Sequence, residues 1–313
     1  MSVIDTPQQN RKDVRGTFIE ALARPQPPSL VDMIATEVKS QADKENYAWL
    51  GEVSALEEWV DEMPEGDMLE NTDVDAAGYE LVNKKYATAL RFRRDDMNDQ
   101  KTGGLNIRVR DLAQRASRKA DALLIDALVA GTTATDYTGE AFFTATHATR
   151  GAQSSMQSNL LTGSGITTAN CATNIASAVA ALYNYLDEAG EPLNEVFRQL
   201  YILYPPALHK PISEAVKAGV ISQTSNVQFS DQDIMLIKSP RLTSTSAVDY
   251  YVGIKDAEVR GLIWQDRESI TMETNGPQSD SWVQQEQQIF KVRLRGRAGY
   301  GRWQRCVLIN NTD

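Results

Sequence analysis

The stretch that decides the fold of this chain runs from Lys84 to Gly131 and begins KKYATALRFRR, residues 84–94. In that segment Tyr86, Thr88, Leu90 and Phe92 alternate with polar or small residues, and this period of two predicts a strand with one buried face. After a turn-like cluster, residues 107–130 carry the longest uninterrupted helical pattern of the chain, which Gly131 terminates. The stretch therefore predicts one strand and one helix about 35 Å long, a spine that suits a flat subunit.

The predicted spine helix is amphipathic along its whole length. Its apolar stripe recurs every three or four residues and consists of Val109, Leu112, Ala116, Ala120, Leu123 and Ala127. The opposite face carries Arg108, Arg115, Arg118 and Lys119. Because the middle of the stripe is alanine, we expect another backbone to approach the helix closely there.

The composition is that of a globular protein. Of the 313 residues, 42% are hydrophobic and 24% are charged, which excludes wholesale disorder. No long apolar run is present, so no membrane span is expected, and the N-terminus has no secretory pattern. Two cysteines, Cys171 and Cys306, argue against a disulfide framework and fit a reducing compartment.

The charges are strongly segregated along the chain. A formal charge of -10 weakens any case for tight nucleic-acid binding, because phosphate neutralisation requires a cationic face. Residues 52–80 contain eleven carboxylates and neither Lys nor Arg, whereas residues 84–119 contain eleven basic residues. A second basic block lies at 291–305, where arginines alternate with Phe290, Val292 and Leu294 and are predicted to occupy one exposed face of a strand.

The acidic run has too few apolar anchors to form a core of its own. A charge run is usually a solvated face, but the helical spacing of Trp59 and Met63 favours contact with a partner subunit. The residues predicted to make this inter-subunit contact are Glu57, Glu58, Trp59, Asp61, Glu62, Arg93, Arg94, Arg115, Arg118, Arg293, Arg295 and Arg297. The arginine strand at 291–305 has a second candidate partner, packaged DNA.

The N-terminal segment, residues 1–46, consists of two short amphipathic pieces on either side of Pro25-Gln26-Pro27-Pro28. The first piece carries Val14, Phe18, Ile19 and Leu22, and the second carries Leu30, Met33, Ile34 and Val38. Neither piece can bury its apolar face alone, so we expect an arm that docks elsewhere, the alternative being a frayed terminus.

The remainder alternates connections, helices and strands. Residues 132–165 are interpreted as a long connection, and helices are predicted at 168–187 and from Pro205 to Gly219. Strands are predicted at 199–204, 234–237, 250–254, 259–264 and 269–273. A final hairpin-like pair, 289–295 and 302–309, is predicted to be joined around Gly296, Gly299 and Gly301.

No catalytic, cofactor or metal site is predicted. His147 and His209 have no second ligand at metal-binding spacing, and both are interpreted as structural residues. Asp95, Asp96 and Asp99 are interpreted as turn and capping residues rather than a divalent-ion cluster. An α/β hydrolase or nucleotide-binding enzyme is a weak alternative, because the sequence has no nucleophile elbow and no phosphate-binding loop.

Several segments together resemble the Mu-like phage major head subunit family. In the N-terminal half they are 18–22, 34–40, 47–51 with Glu58-Trp59, 79–85 and 93–99. Further along, Tyr137–Phe143 followed by His147 resembles the next motif of the family, and Arg297–Gln304 resembles its closing motif. The matches fall in order along most of the chain, which is more specific than any one of them.

This resemblance implies an α+β fold, the major capsid fold of tailed phages and herpesviruses. It implies an N-terminal arm at 1–47, an extended loop at 48–85, a peripheral domain at 86–167, an axial domain at 168–262 and a return to the peripheral domain at 263–313. Arm and loop would reach over neighbouring subunits.

The implied function is that of a non-enzymatic shell protein of the phage head, located in the virion and assembled in the host cytoplasm. Its expected partners are copies of itself in hexamers and pentamers, a separate scaffolding protein and protease, a portal, a decoration protein and weakly bound double-stranded DNA. The short arm leads us to expect that no scaffold is fused to the chain. An encapsulin-like nanocompartment is the alternative with the same fold.

Overall fold

The structure is a computed structural model that describes residues 7–23, 29–50, 78–93, 103–148, 156–186, 192–218, 220–221, 224–225, 232–242, 247–275 and 279–311. Its helices are α1 (Pro7–Ala23), α2 (Leu30–Ile34), α3 (Gly103–Ser117), α4 (Lys119–Ala130), α5 (Thr168–Asn184), α6 (His209–Lys217) and α7 (Asp280–Val283). Its strands are β1 (Ala35–Lys39), β2 (Lys44–Asn46), β3 (Glu80–Val82), β4 (Lys84–Arg93), β5 (His147–Ala148), β6 (Met156–Gln157), β7 (Leu160–Gly163), β8 (Gln199–Tyr204), β9 (Val220–Ile221), β10 (Thr224–Ser225), β11 (Asp233–Lys238), β12 (Tyr250–Ile254), β13 (Leu262–Thr274), β14 (Gln287–Tyr300) and β15 (Cys306–Asn311).

Two sheets organise these elements. The first has the strand order β1-β13-β14-β4, in which β1 runs parallel to β13 and the other pairs are antiparallel. The second has the order β11-β8-β12-β15-β7 and is mixed, because β11 and β7 run parallel to their neighbours. Strands β8 and β12 are almost fully buried, which explains why their sequences are continuous apolar runs rather than alternating ones.

The predicted strand at the start of the deciding stretch is confirmed as β4. Phe92 is buried and Tyr86 and Leu90 are half-buried, whereas Thr88 on the same face is exposed. The same alternation is stronger in β14, where Phe290, Val292 and Leu294 are all buried. The apolar faces of both strands therefore lie on the same side of the sheet.

The predicted single spine helix is wrong, because the helix is divided at Arg118. This residue has φ -87° and ψ 2°, outside the α-helical region, and separates α3 from α4. Helix α3 buries Val109 and Leu112 in a small core with Phe92 and Phe290, whereas α4 packs in the main core. The division lets each half present its own apolar face, so Leu124 and Leu128 are buried in α4 in place of the predicted Leu123 and Ala127.

The predicted docking of the N-terminal segment is confirmed for α1, and its docking site lies on the same chain. Val14, Phe18 and Ala21 are buried in the small core against α3 and the sheet. The second amphipathic piece is not one helix, since α2 ends at Ile34 and the chain continues as strand β1. Ser29 Oγ and the Leu30 N–H both donate to Asp121 Oδ1 at 2.9 Å, which fastens the start of α2 to α4.

The predicted C-terminal hairpin is wrong, because β14 and β15 belong to different sheets. The glycines provide close approach instead of a hairpin turn. A Cβ on Gly299 would lie 2.2 Å from Leu81 Cδ1, and one on Gly301 would lie 2.1 Å from the carbonyl oxygen of Arg260. The two strands predicted at 259–264 and 269–273 are also one strand, β13, with register shifts between Asp266 and Thr271.

Other predicted boundaries change less. The predicted connection at 132–165 contains the β5–β6 hairpin and β7, which joins the second sheet through β15. Helix α5 ends at Asn184, and α6 begins at His209 after a short 3₁₀ turn. Asp95, Asp96, Asp99 and Gly219 lie outside the described residues. The division into arm, loop, peripheral and axial domains stays a prediction.

We expect Gly301→Ala to lower the free energy of unfolding by about 1–3 kcal/mol, because the added methyl group collides with the backbone at Arg260. Urea denaturation of the purified variant measures this effect. Gly16→Ala in α1 is the matched control, since its Cβ meets nothing within 4 Å and alanine favours the helix. Equal stability of Gly301→Ala and the wild type would contradict the close approach.

Candidate assembly surface

The predicted exposed arginine face of β14 is half-buried and largely engaged within the chain. Arg293 donates to Glu268 and to Glu273 of the adjacent strand, the latter at 3.0 Å. Arg295 Nη2 lies 2.6 Å from Asp43 Oδ1, and Arg297 Nη1 donates to the Val82 carbonyl at 3.4 Å. The hydrogen bond from Arg293 lowers the pKa of Glu268. These pairs occupy the face of the sheet opposite Phe290 and Val292.

The two ends of the acidic run are held at one place on this face. Strands β2 and β3 pair with each other, and the Tyr47 N–H donates to the Tyr79 carbonyl at 2.7 Å. The Tyr47 hydroxyl donates to Gln265 Oε1 at 2.9 Å, and Gln265 Nε2 donates to the Leu81 carbonyl at 3.3 Å. Both Tyr47 and Gln265 are buried, so the base of the loop is fixed on the sheet.

A turn at 40–43 places the acid that binds Arg295. The Glu45 carboxylate accepts hydrogen bonds from Ser40 Oγ at 3.0 Å and from the N–H groups of Gln41 and Ala42 at 3.1 and 3.3 Å. These donors lower the pKa of Glu45, the bond from Ser40 being the largest cause. Sequence reasoning missed Asp43 and Glu45. No local pattern around these two residues indicates that Asp43 pairs with Arg295, which is distant in sequence.

The edge strand β4 carries further basic residues, which do not take part in the ion pairs of β14 described above. Arg91 and Arg93 are exposed, and their cross-strand neighbours on β14 are the neutral Ile289 and Gln287. Lys85 lies opposite Arg295, on the same face. Arg93 was predicted as a contact residue, whereas Lys85 and Arg91 were missed.

Of the predicted contact residues that the structure describes, Arg93, Arg293, Arg295 and Arg297 share one face of the first sheet. Arg115 and Arg118 are exposed on α3 and at its end, on the side of the sheet opposite the β14 arginines. Glu57, Glu58, Trp59, Asp61, Glu62 and Arg94 lie outside the described residues. The contact itself stays a prediction.

The two motifs that carry the family resemblance after the spine meet in one buried cluster. The His147 ring stacks on Trp303 at 4.0 Å between centroids, and Phe142 stacks on Tyr300 at 4.6 Å. The Tyr137 hydroxyl donates to Gln304 Oε1 at 3.3 Å. The two motifs therefore pack the loop at 132–147 against the turn that follows β14.

His147 acts in this cluster as a packing residue. Its Nε2 lies 3.2 Å from both the Phe142 carbonyl and Asn159 Oδ1, two acceptors, so Nε2 carries the hydrogen. Burial lowers the pKa of His147, which keeps the ring neutral at neutral pH. Its Nδ1 lies 3.8 Å from Glu140 Oε2.

In the part of the chain that the structure describes, no group of three or more His, Cys, Asp or Glu side chains is arranged to hold a metal ion. Within those same ranges, no helix is long and apolar enough to cross a membrane.

We expect Asp136, on the same turn as Tyr137, to make stability depend on pH. Burial raises the pKa of Asp136 to about 6, so the folded chain holds this proton more tightly than the unfolded chain does. The resulting stabilisation is complete below the unfolded pKa and is lost as pH rises through about 6. Relative to the wild type, Asp136→Asn should therefore gain up to about 3 kcal/mol of unfolding free energy between pH 4 and pH 7.5.

Urea denaturation of both proteins at several pH values measures this difference. His147 titrates in both proteins and cancels in the comparison, as does any constant effect of the amide. Parallel curves for Asp136→Asn and the wild type would contradict the assignment.

The comparison with known proteins agrees with this fold and these motifs. The model of the family described as "Mu-like prophage major head subunit gpT" matches residues 8–171 and 227–312. The Mu-like prophage FluMu major head subunit of Haemophilus influenzae is 37% identical over 130 residues, 42% of this chain and 40% of that protein. The major capsid protein of Escherichia phage Mu is 30% identical over 137 residues, 44% of this chain and 41% of that protein.

These alignments span about two fifths of each curated relative, while the likeness of the fold extends over nearly the whole chain. The procapsid of bacteriophage JBD30 superimposes with a TM-score of 0.57 and 17% identity, covering 99% of this chain and 77% of that one. The fold is therefore the α+β fold of tailed-phage capsid subunits, as predicted. Since the family model matches most of the sequence, the chain belongs to the Mu-like prophage major head subunit gpT family.

Proposed function

We propose that this chain is the major capsid protein that self-assembles into the icosahedral head shell enclosing double-stranded phage DNA. The observation that carries the proposal is the family membership, which extends over both of the motifs that meet at His147 and Trp303. The chain-wide likeness to a procapsid subunit supports it. The role is structural and not enzymatic.

The proposed partners follow from assembly in a phage-infected cell. Copies of this chain would form hexamers and pentamers, with a scaffolding protein and a portal during assembly in the host cytoplasm and a decoration protein on the finished virion. With a formal charge of -10, contact with packaged DNA is weak and non-specific.

Electron microscopy of the purified chain, expressed with its scaffold, tests the proposal. We expect closed icosahedral shells. An enzyme of similar size would elute as a small oligomer, and that result would overturn the proposal. Closed shells that never take up phage DNA in an infected cell would instead favour the nanocompartment alternative.

We further propose that the acidic run contacts a basic surface of the adjacent subunit through Glu57, Glu58, Trp59, Asp61 and Glu62. The run has no cation of its own from Glu52 to Glu80, and its base is fixed on the sheet by Tyr47. One exposed ion pair is worth about 0–1 kcal/mol, but a shell repeats the contact in every subunit. Such weak contacts set the register of assembly and still allow misplaced subunits to dissociate.

Glu57→Lys with Glu58→Lys should block shell formation and leave the thermal stability of the unassembled chain unchanged. Both residues lie within the acidic run, so the reversal replaces attraction with repulsion at the contact. Asp73→Lys with Asp75→Lys changes the net charge of the same run equally and should still assemble. Normal shells from the Glu57/Glu58 variant, counted by negative-stain microscopy, would sink the proposed contact.

A further inference from the structure

The free face of the first sheet has an ordered distribution of charge across its strands. Strand β13 contributes the acids Glu268 and Glu273, and β14 contributes Arg293, which binds both. Cross-strand partners of an antiparallel pair share a face, so the register places Lys85, Arg91 and Arg93 of β4 on this same face. From β13 to β4, this face therefore carries first acidic residues, then Arg293, which binds them, and then the basic residues of the edge strand.

Among the described residues, the basic side chains of β4 have no acidic partner. Within the described ranges, no carboxylate forms an ion pair with Arg91 or Arg93. Lys85 contributes to the lowered pKa of Glu268 but forms no ion pair with it. Lys291, diagonal to Arg91, lies 3.9 Å from Glu273, which Arg293 already binds. The edge thus carries excess positive charge.

The position of β4 leaves this charge accessible. It is the last strand of the order β1-β13-β14-β4, and α1 and α3 cover the opposite face of the sheet through Phe92 and Phe290. Arg91 and Arg93 are two positions apart on β4, so their side chains share a face and lie about 7 Å apart. Guanidinium groups bind carboxylates through two parallel hydrogen bonds, so this pair suits two carboxylates of an extended or helical acidic segment.

We propose that Arg91 and Arg93, with Lys85, are the surface on which Glu57, Glu58, Asp61 and Glu62 of the acidic run at residues 52–77 of a second copy dock. The inference rests on the proposed function and assigns the basic side of its contact. The occupant follows from charge, since this run carries ten carboxylates and no Lys or Arg. Arg293 and Arg295 are already bound to Glu268 and Asp43 in their own chain.

The experiment compares charge reversals on the two sides of the contact. Arg91→Glu with Arg93→Glu should lower the yield of shells at least about tenfold, as should the Glu57/Glu58 reversal to Lys. Lys210→Glu with Lys217→Glu is the matched control, because both lysines are exposed on α6, which packs against the second sheet, and this variant changes the charge equally and should assemble normally. Circular dichroism checks that each variant is folded, and Arg91→Gln with Arg93→Gln provides a milder change.

Mixing the two reversed proteins identifies the second copy. When acidic-surface and basic-run subunits alternate around a hexamer, each contact again joins opposite charges, so the mixture should form hexamers that neither protein forms alone. A single chain carrying all four reversals should also assemble. If that chain assembles and the mixture does not form hexamers, the run binds its own subunit and the proposal is overturned.

Two other outcomes overturn the inference while leaving the proposed function intact. Normal shell yield from Arg91→Glu with Arg93→Glu means that the run docks elsewhere. Normal shells that package less DNA mean that these arginines contact nucleic acid. Failure of the wild-type chain to form shells under any condition would instead overturn the proposed function itself.

Discussion

The structure depends on the two-sided register of strand β14. Its even-numbered side chains, such as Phe290 and Val292, enter the small core, and its odd-numbered side chains, such as Arg293 and Arg295, face the ion pairs. A slip of one residue would exchange the two faces and place arginines beneath α1 and α3. Burying one large apolar side chain contributes about 1.5–3 kcal/mol, more than an exposed ion pair does. The apolar face therefore sets the register, and the arginines follow it.

The same strand determines where the acidic run begins and ends. Gly299 lets Leu81 lie against the sheet, and Gln265 on the neighbouring strand receives the Tyr47 hydroxyl. The arginine side of β14 then meets the turn that presents Asp43. Both ends of the run are thus attached to the sheet by buried or paired groups. The run between these two ends is rich in the negative charge that the edge of the sheet lacks.

Sequence patterns predicted the elements well where one local period decides the structure. Strand Tyr250–Ile254 has the predicted bounds, and the alternation of β4 and β14 is confirmed. The division at Arg118 was not predictable, because the helical pattern continues through it, and only the tertiary structure shows that α3 and α4 pack in different cores. The prediction of a C-terminal hairpin was wrong because, in the sequence, a glycine that lets another segment approach closely cannot be distinguished from a glycine that forms a turn.

The candidate surface was predictable only in part, for a similar reason. The arginines of β14 were found from their alternation, but Glu268 and Asp43 become their partners only through strand register and the docked turn at 40–43. No local pattern distinguishes a paired arginine such as Arg293 from Arg93, which forms no ion pair with the described residues. The proximity of His147 to Trp303 likewise depends on tertiary contacts between distant segments.

Charge on the edge strand β4 also resolves a conflict that any shell subunit faces. A ten-residue strand at the edge of a sheet exposes backbone groups that can pair with another chain, and lysine or arginine side chains suppress such pairing. An apolar contact surface there would promote uncontrolled aggregation before assembly. Cations on this strand oppose edge-to-edge association and attract an acidic segment, so the same residues discourage the wrong contact and favour the proposed one. Salt screens both effects over about 8 Å at physiological ionic strength, which keeps each contact weak until many neighbours hold the subunit in place.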